Sequence, residues 1–211
     1  DFYDFFMVDG DHLALVVADV SGKGIPAALF MMQSKAIIKM EALSGLDPAS
    51  VLLKANADLS EKNDDDMFTT AWLGVLEIST GKLTYADAGH EKSALFLSGT
   101  WELPKKPNSA VALASFSSED YAELPEKYRF RNHTVQLHPG DAVLQYTDGV
   151  TEAIDAQEEA FGEERLLGAL NDAPDACPET LLPFVQQRIA EFTGGAPQFD
   201  DITMLCLRYV G

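Results

Sequence analysis

Aspartates stand beside three apolar runs of this sequence. Asp19 ends LALVVAD, Asp148 ends AVLQYTD, and Asp200 and Asp201 immediately precede ITMLCLRYV. Asp1 and Asp4 lie just upstream of the first run. A strand buried in a core is a rigid support, so a carboxylate at its tip has a fixed position. Several tips at one edge of a sheet sandwich would bring four or more carboxylates together. Carboxylates packed in that way repel and raise one another's pKa values. A divalent cation resolves the repulsion, and hard oxygen ligands at ~2.0–2.6 Å suit magnesium, manganese or calcium. Two such ions bridged by a carboxylate would lower the pKa of a shared water and make hydroxide available near neutrality. They would also neutralise a phosphoryl oxygen during in-line attack. Each aspartate alone has a plainer reading, because Asp before a turn or helix caps backbone N–H groups. All of them together, each adjoining an apolar strand, favour the metal site.

Other chemistries fit less well. None of His12, His90, His133 and His138 is spaced as HExxH or paired with Cys, which argues against zinc. Gly22-Lys23-Gly24 departs from the phosphate-loop pattern, since Gly24 follows Lys23 where Ser or Thr is required. There is no GxSxG elbow, and turn chemistry accounts for Ser21. His90 reads as structural, stabilising a turn.

The elements that must position these aspartates follow from periodicity. Leu13 to Ala18 reads as a buried strand. A helix begins near Pro26, with Ile25, Leu29, Met32, Ala36, Met40 and Leu43 expected as its one buried stripe. Asp47-Pro48 starts a second helix carrying Val51, Leu52, Ala55 and Leu59. The acidic patch from Glu61 to Asp66 reads as a solvated loop. Met67–Ile78 and Leu83–Ala88 form a hairpin, and Ser93–Leu97 with Trp101–Leu103 forms another. Pro104 to Pro125 reads as a variable loop region with at most one short strand. Phe130–Leu137 and Ala142–Thr147 follow as strands, Glu158–Asn171 and Glu179–Phe192 as helices, and Ile202–Val210 as a closing strand. Hairpins alternating with helix pairs indicate a layered α+β domain.

Composition narrows the function. With 34 Asp and Glu against 15 Lys and Arg, the 211-residue chain carries a net charge of −19. That balance repels phosphate backbones and anionic lipid, so it argues against nucleic-acid or membrane-surface binding. At 46% hydrophobic and 23% charged residues the chain can bury a core without staples. Cys177 and Cys206 read as two buried free thiols in a reducing cytoplasm. No apolar stretch approaches the ~20 residues needed to span a membrane. The chain opens at Asp1 without Met, so the expectation is one domain, truncated at its N-terminus and excised from a larger regulatory protein.

The motifs DFYD (1–4), ADVSGKGIPAALFM (18–31), FTTAWLGVLEISTGKLTYADAGH (68–90), PGDAVLQYTDGVTEA (139–153), FGEERL (161–166) and FDDITMLCLRY (199–209) run in order along nearly the whole chain. As an ordered set they resemble the catalytic domain of metal-dependent (type 2C, PPM) serine/threonine phosphatases of the bacterial SpoIIE/RsbU-like branch. The resemblance implies a four-layer α-β-β-α sandwich of two antiparallel sheets flanked by helix pairs. It implies two Mn2+ or Mg2+ ions, with Asp19 bridging both and the Val20 carbonyl joining the second. Asp148 and Asp200 would hold the first metal, and Asp1 would stand on the other side of the pair. Asp4 and Asp201 would act through water or as orienters. The nucleophile would be a metal-bridging water, and Lys23 is a candidate phosphate contact.

The activity so implied is hydrolysis of phosphoserine or phosphothreonine on a bacterial signalling partner, typically a STAS-domain anti-sigma-factor antagonist. An upstream sensory domain in the parent chain is expected. The location is expected to be cytoplasmic, with a parent that could be membrane-anchored. The resemblance also implies that the first helix pair is a regulatory switch, and homodimerisation through that pair or through upstream helices is compatible with it. Two other readings stay open: a catalytically weak binding module of the same fold, and a small-molecule phosphohydrolase.

Overall fold

The structure, a computed structural model, describes residues 1–61, 63, 66–106, 109–198 and 200–211. Along the chain run β1 (Phe2–Met7), β2 (His12–Val20), α1 (Ile25–Ala42), α2 (Pro48–Ser60), β3 (Thr69–Glu77) and β4 (Lys82–Ala88). They are followed by β5 (Ala94–Leu97), β6 (Thr100–Glu102), α3 (Ser118–Glu123), β7 (His133–Gln136) and β8 (Ala142–Tyr146). The chain continues with α4 (Gly162–Asp172), α5 (Pro178–Thr193) and β9 (Met204–Arg208). It divides into two compact units, Asp1–His90 with Lys106–Gln136, and Glu91–Lys105 with Leu137–Gly211.

In the first unit the sheet order is β1-β2-β3-β4-β7, antiparallel throughout. The run read as apolar becomes the second strand, with Ala14 to Ala18 almost fully buried. Ala14, Val16 and Ala18 of β2 and Ala71 and Leu73 of β3 share one core with Ile38 of α1 and Val51, Leu52, Ala55 and Leu59 of α2. Asp47 caps α2 as its sequence predicted, its side chain accepting from Ser50 N at 3.1 Å.

The first helix is turned over relative to expectation. Ala27, Phe30, Ser34, Ile38 and Ala42 face the core. The expected buried stripe points outward, with Ile25 at 77% and Leu29 at 63% exposure, and Met32, Ala36, Met40 and Leu43 also exposed. The helix is apolar on two opposite faces, so periodicity alone cannot choose between them. Packing decides: small Ala27, Ser34 and Ala42 alternate with Phe30 and Ile38, which permits close approach to the sheet. Ser34 enters the core because its hydroxyl lies 3.1 Å from Thr69 Oγ1, satisfying both groups.

In the second unit the order is β6-β5-β8-β9, again antiparallel. Leu144 and Tyr146 of β8, Leu166 and Leu170 of α4, and Leu181, Val185 and Ile189 of α5 form its core. The last helix stops at Gly194, whose φ of 58° is left-handed and whose N–H reaches Ala190 O at 3.2 Å. Each unit thus supplies one antiparallel sheet and one helix pair, the components of the expected α+β layers.

Two elements were not anticipated. Strand β1 lies ahead of the first predicted strand, and α3 lies inside the region read as loop. Ser117 caps α3 by accepting from Asp120 N at 3.1 Å and donating to Asp120 Oδ2 at 2.9 Å. The helix expected from Glu158 begins only at Gly162. Cys177 and Cys206 are free but half-buried, not buried. Burial nonetheless pushes the Cys206 thiol up to about 12. Asp64 and Asp65 of the acidic patch, and Pro107 and Asn108 of the variable loop, lie outside the described residues. Among the described residues no helix is long and apolar enough to cross a membrane.

The reversed helix gives a direct prediction. Ile38→Ala should lower unfolding free energy by about 2–5 kcal/mol, the range for truncating a buried aliphatic. Leu29→Ala should change it by less than about 0.5 kcal/mol, as surface substitutions do. Urea denaturation of the two variants checks this, and equal losses would contradict the helix orientation.

Candidate functional site

Asp19 stands at the end of the fully buried stretch of β2 and is itself half-exposed. The register Phe2↔Ala18 carries Asp1 alongside it, and the Asp1 main-chain nitrogen lies 3.9 Å from Asp19 Oδ1. On the other side Asp19 pairs with Thr70 and Val20 with Thr69. Thr70 Oγ1 sits 2.9 Å from Nδ1 of buried His90, so His90 braces the strand beside Asp19. Thr69, beside Val20, carries the Ser34 contact from α1. A single buried hydrogen bond therefore ties the core face of the first helix to the tip of β2.

The turn after Val20 closes by Ser21 N donating to Phe68 O at 2.9 Å and Phe68 N donating to Ser21 Oγ at 2.9 Å. Gly22 and Gly24 then adopt φ values of 80° and 82°, where a side chain is strained. Protein atoms do not crowd Gly24, since a Cβ there would meet nothing within 4 Å. The left-handed backbone is what requires glycine at this point. Lys23 is exposed between them. Asp4 is turned to other work: its carboxylate pairs with Lys39 Nζ of α1 at 3.1 Å.

The second unit brings Asp148 and the 200–201 segment side by side. Asp148 opens a short 3-10 turn, Asp148–Val150, directly after β8. Thr147 N donates to Thr203 O at 3.1 Å, and Thr203 N donates back to Thr147 Oγ1 at 3.0 Å. Gly149 packs against the neighbouring backbone so closely that a Cβ would lie 2.0 Å from Asp201 O. That approach is possible only for glycine, and it locks the Asp148 turn onto the segment holding Asp200. Asp201 is exposed, and its N–H donates to Asp200 Oδ1 at 2.9 Å.

Glu152 was not picked out by the sequence reading. Its N–H donates to Asp148 O at 2.8 Å. Burial first, and then the charges of Asp148 and Asp200, hold its carboxyl above the usual range. Glu152 thus feels the charges of Asp148 and Asp200. The signal that could have found Glu152 is the helical-turn offset from Asp148, visible only once the 3-10 turn is known.

Hard carboxylate oxygens are the donor set of divalent cations, and the mutual repulsion felt at Glu152 is what such a cation offsets. Within each unit taken alone, no three His, Cys, Asp or Glu side chains form a metal cage among the described residues. The structure places the Asp1 main-chain nitrogen beside the Asp19 carboxylate, and Asp148 and Asp200 within electrostatic reach of Glu152.

The family described as Stage II sporulation protein E (SpoIIE) matches residues 9–210. Protein IcfG of Synechocystis sp. is 29% identical across 98% of this chain and 35% of its own length. Phosphoserine phosphatase RsbU of Bacillus subtilis is 30% identical across 71% of this chain and 42% of its own length. The chain therefore spans less than half of these curated relatives. Among solved structures, the PP2C phosphatase domain of SpoIIE from Bacillus subtilis, with a fragment of its regulatory domain, superposes with a TM-score of 0.80 over 98% of this chain and 57% of its own. Its identity is 15%, so the likeness is one of fold. The catalytic domain of the serine/threonine phosphatase PstP, solved in complex with two manganese ions, gives a TM-score of 0.61 at 15% identity over 99% of this chain and 91% of its own.

Gly149→Ala should cost roughly 1–3 kcal/mol, the range for overpacking a filled site. Its φ is not left-handed, so the loss would come from the clash with Asp201 O alone. Urea denaturation measures it. A change below about 0.5 kcal/mol, no larger than that of a surface substitution, would show that the 148–150 turn and the 200–201 segment are not locked.

Proposed function

The chain belongs to the SpoIIE family, and we propose that it is the phosphatase domain of a longer signalling protein, hydrolysing phosphoserine or phosphothreonine on a bacterial partner protein. The observation that carries this reading is the fixed placement of carboxylates at strand ends: Asp19 at the tip of β2, and Asp148 locked beside Asp200 after β8. The ordered match over residues 9–210 and the 30% identity to a phosphoserine phosphatase support it.

In this proposal Asp1, Asp19, the Val20 carbonyl, Asp148 and Asp200 would hold two divalent cations, manganese or magnesium, with Asp19 serving both. Cations held there supply hydroxide near neutral pH and offset charge on phosphoryl oxygens. The chain's own residues do the positioning. Asp19 is fixed by the buried β2 strand and by its pairing with Thr70, which His90 braces. Asp148 and Asp200 are fixed by the Thr147–Thr203 exchange and the Gly149 contact. Asp201 orients Asp200 through its backbone N–H. Asp4 holds the first strand to α1 through Lys39 and so keeps Asp1 in place. Lys23, exposed in the following turn, is assigned to the substrate phosphate. Water serves as proton donor to the leaving serine.

We assign as substrate a phosphorylated STAS-domain anti-sigma-factor antagonist, on the resemblance to the RsbU-like branch. A sensory domain elsewhere in the parent chain is part of the same proposal. Its support is that this chain covers only 35% and 42% of two curated relatives. We place the reaction in the cytoplasm, where such a partner resides.

The test is hydrolysis of p-nitrophenyl phosphate and of a phosphoserine STAS protein, with and without manganese. Both activities should require the metal and vanish with EDTA. Asp19→Asn and Asp148→Asn should each lower the rate by more than the ~100-fold that marks the upper range for loss of an outer partner of a metal ligand. Turnover without metal, or turnover kept in both variants, would sink the mechanism. Metal binding with no turnover on either substrate would favour the binding-module reading.

A further inference from the structure

The sheet face that carries Asp19 continues past the end of β2. Ala18 and Val20 belong to the core shared with α1 and α2, so Asp19 between them faces the other way. On the neighbouring strand Thr69 meets Ser34 of α1, and Met67 packs against the same core. Phe68 and Thr70 therefore face away from α1, on the side of Asp19. The register agrees, because residues paired directly across an antiparallel ladder share a face, and Asp19 pairs with Thr70. Phe68 then lies one row beyond Asp19 on that face, opposite Ser21, and the two hydrogen bonds between Ser21 and Phe68 close the row.

Phe68 is 42% exposed. A single exposed apolar side chain is ordinary; its position is what matters. Its N–H and its carbonyl are both held by Ser21, so the exposed ring stands on a fixed backbone. One row on the same face of a strand is a step of about 7 Å. A phosphoserine whose phosphate reached the Asp19 carboxylate would carry its neighbours along at about 3.8 Å per Cα step. The residues directly flanking it would thus come within reach of the Phe68 ring. The reaction itself names the occupant of this surface: it is the segment that presents the phosphate.

Resting on the phosphatase reading above, we propose that Phe68 is a specificity-determining residue, its ring packing against an apolar side chain directly adjacent to the phosphoserine of the partner protein. The ring offers no hydrogen bond, so a polar side chain pressed against it loses water without compensation, whereas an apolar one gains. Phe68 touches no reacting atom. It sets which phosphoserines are taken, not how fast the bound ester is cleaved.

The experiment uses the 211-residue chain with manganese and two phosphoserine peptides of equal length and charge. One has Leu and the other Asn on both sides of the phosphoserine. The two side chains are close in size, so the comparison isolates polarity. The wild-type kcat/KM should favour the Leu peptide by roughly 5-fold, the change expected when about 40 Å² of apolar surface leaves water. Phe68→Ala should make the two peptides equivalent, mainly by raising KM for the Leu peptide, and Phe68→Leu should restore part of the preference. Leu53→Ala, which removes a similarly exposed apolar side chain from α2, should keep the wild-type ratio. Calorimetric titration of Phe68→Ala with manganese should give the wild-type affinity. Equal use of both peptides by the wild type would overturn the inference while leaving the phosphatase reading intact. So would a preference that survives in Phe68→Ala. Loss of manganese affinity in both Phe68 variants would also overturn it, by making the ring a support of the Ser21 turn. Wild-type failure on both peptides and on p-nitrophenyl phosphate would bring down the phosphatase reading and this inference with it.

Discussion

Like charges fixed on rigid supports are the constraint from which the rest of this structure follows. Strand β2 is buried along Ala14–Ala18 and β8 along its whole length, so Asp19 in the one and Asp148 two residues beyond the other stand on rigid supports. Two unit charges about 4 Å apart interact by roughly 4 kcal/mol at an effective dielectric near 20. A flexible loop would relieve such repulsion by moving; a strand tip cannot. The remaining outlets are protonation and a cation. Beside Asp148 and Asp200 the Glu152 carboxyl is held above its usual range, by burial first and by those two charges after it. A divalent ion supplies the second without sacrificing ligands, and this is why strand-end carboxylates suit metal chemistry better than loop carboxylates.

The same rigidity explains where polar groups enter the core. Ser34 would be an odd choice for a helix face packed on a sheet, yet its hydroxyl meets Thr69 at the residue paired with Val20. A buried hydrogen bond between neutral groups contributes only about 1 kcal/mol net, but leaving either partner unsatisfied costs more. The contact therefore acts as a register pin more than as a source of stability. It fixes α1 axially against β3, at the residue paired with Val20 of β2. Any displacement of the first helix along its axis must break it. The Gly149 contact plays the corresponding part in the second unit through close backbone packing.

Much of this was legible in the sequence, for physical reasons that also explain what was not. Uniform apolar runs ending in Asp can be read because a fully buried strand has no other composition. Asp47-Pro48 can be read because capping and a preset φ are local properties. Strand β1 escaped because Phe2, Tyr3, Phe5, Phe6 and Met7 are apolar in both phases of the alternation, so no face stands out. Helix α1 escaped in orientation for the parallel reason, with apolar stripes on opposite faces. Helix α3 is a six-residue element with one buried residue, Tyr121, too short to show a period. Glu152 needed the three-dimensional turn. What failed was chiefly the direction in which neighbouring faces point, a question that only packing answers.

The acidity of the chain then bears on how a substrate can approach. A phosphoserine carries close to two negative charges at neutral pH, and a surface of net charge −19 repels it at a distance. Attraction must therefore be local and the partner's remaining surface must compensate. In the proposed site, cations at the carboxylates and Lys23 in the turn after Val20 would reverse the sign of the potential over a few ångströms, less than a screening length of about 8 Å in physiological salt. Beyond that range such a partner would meet the acidic surface again. A substrate presenting its phosphate alone would gain little on approach, so under the proposed function the surface around that phosphate has to carry compensating positive charge.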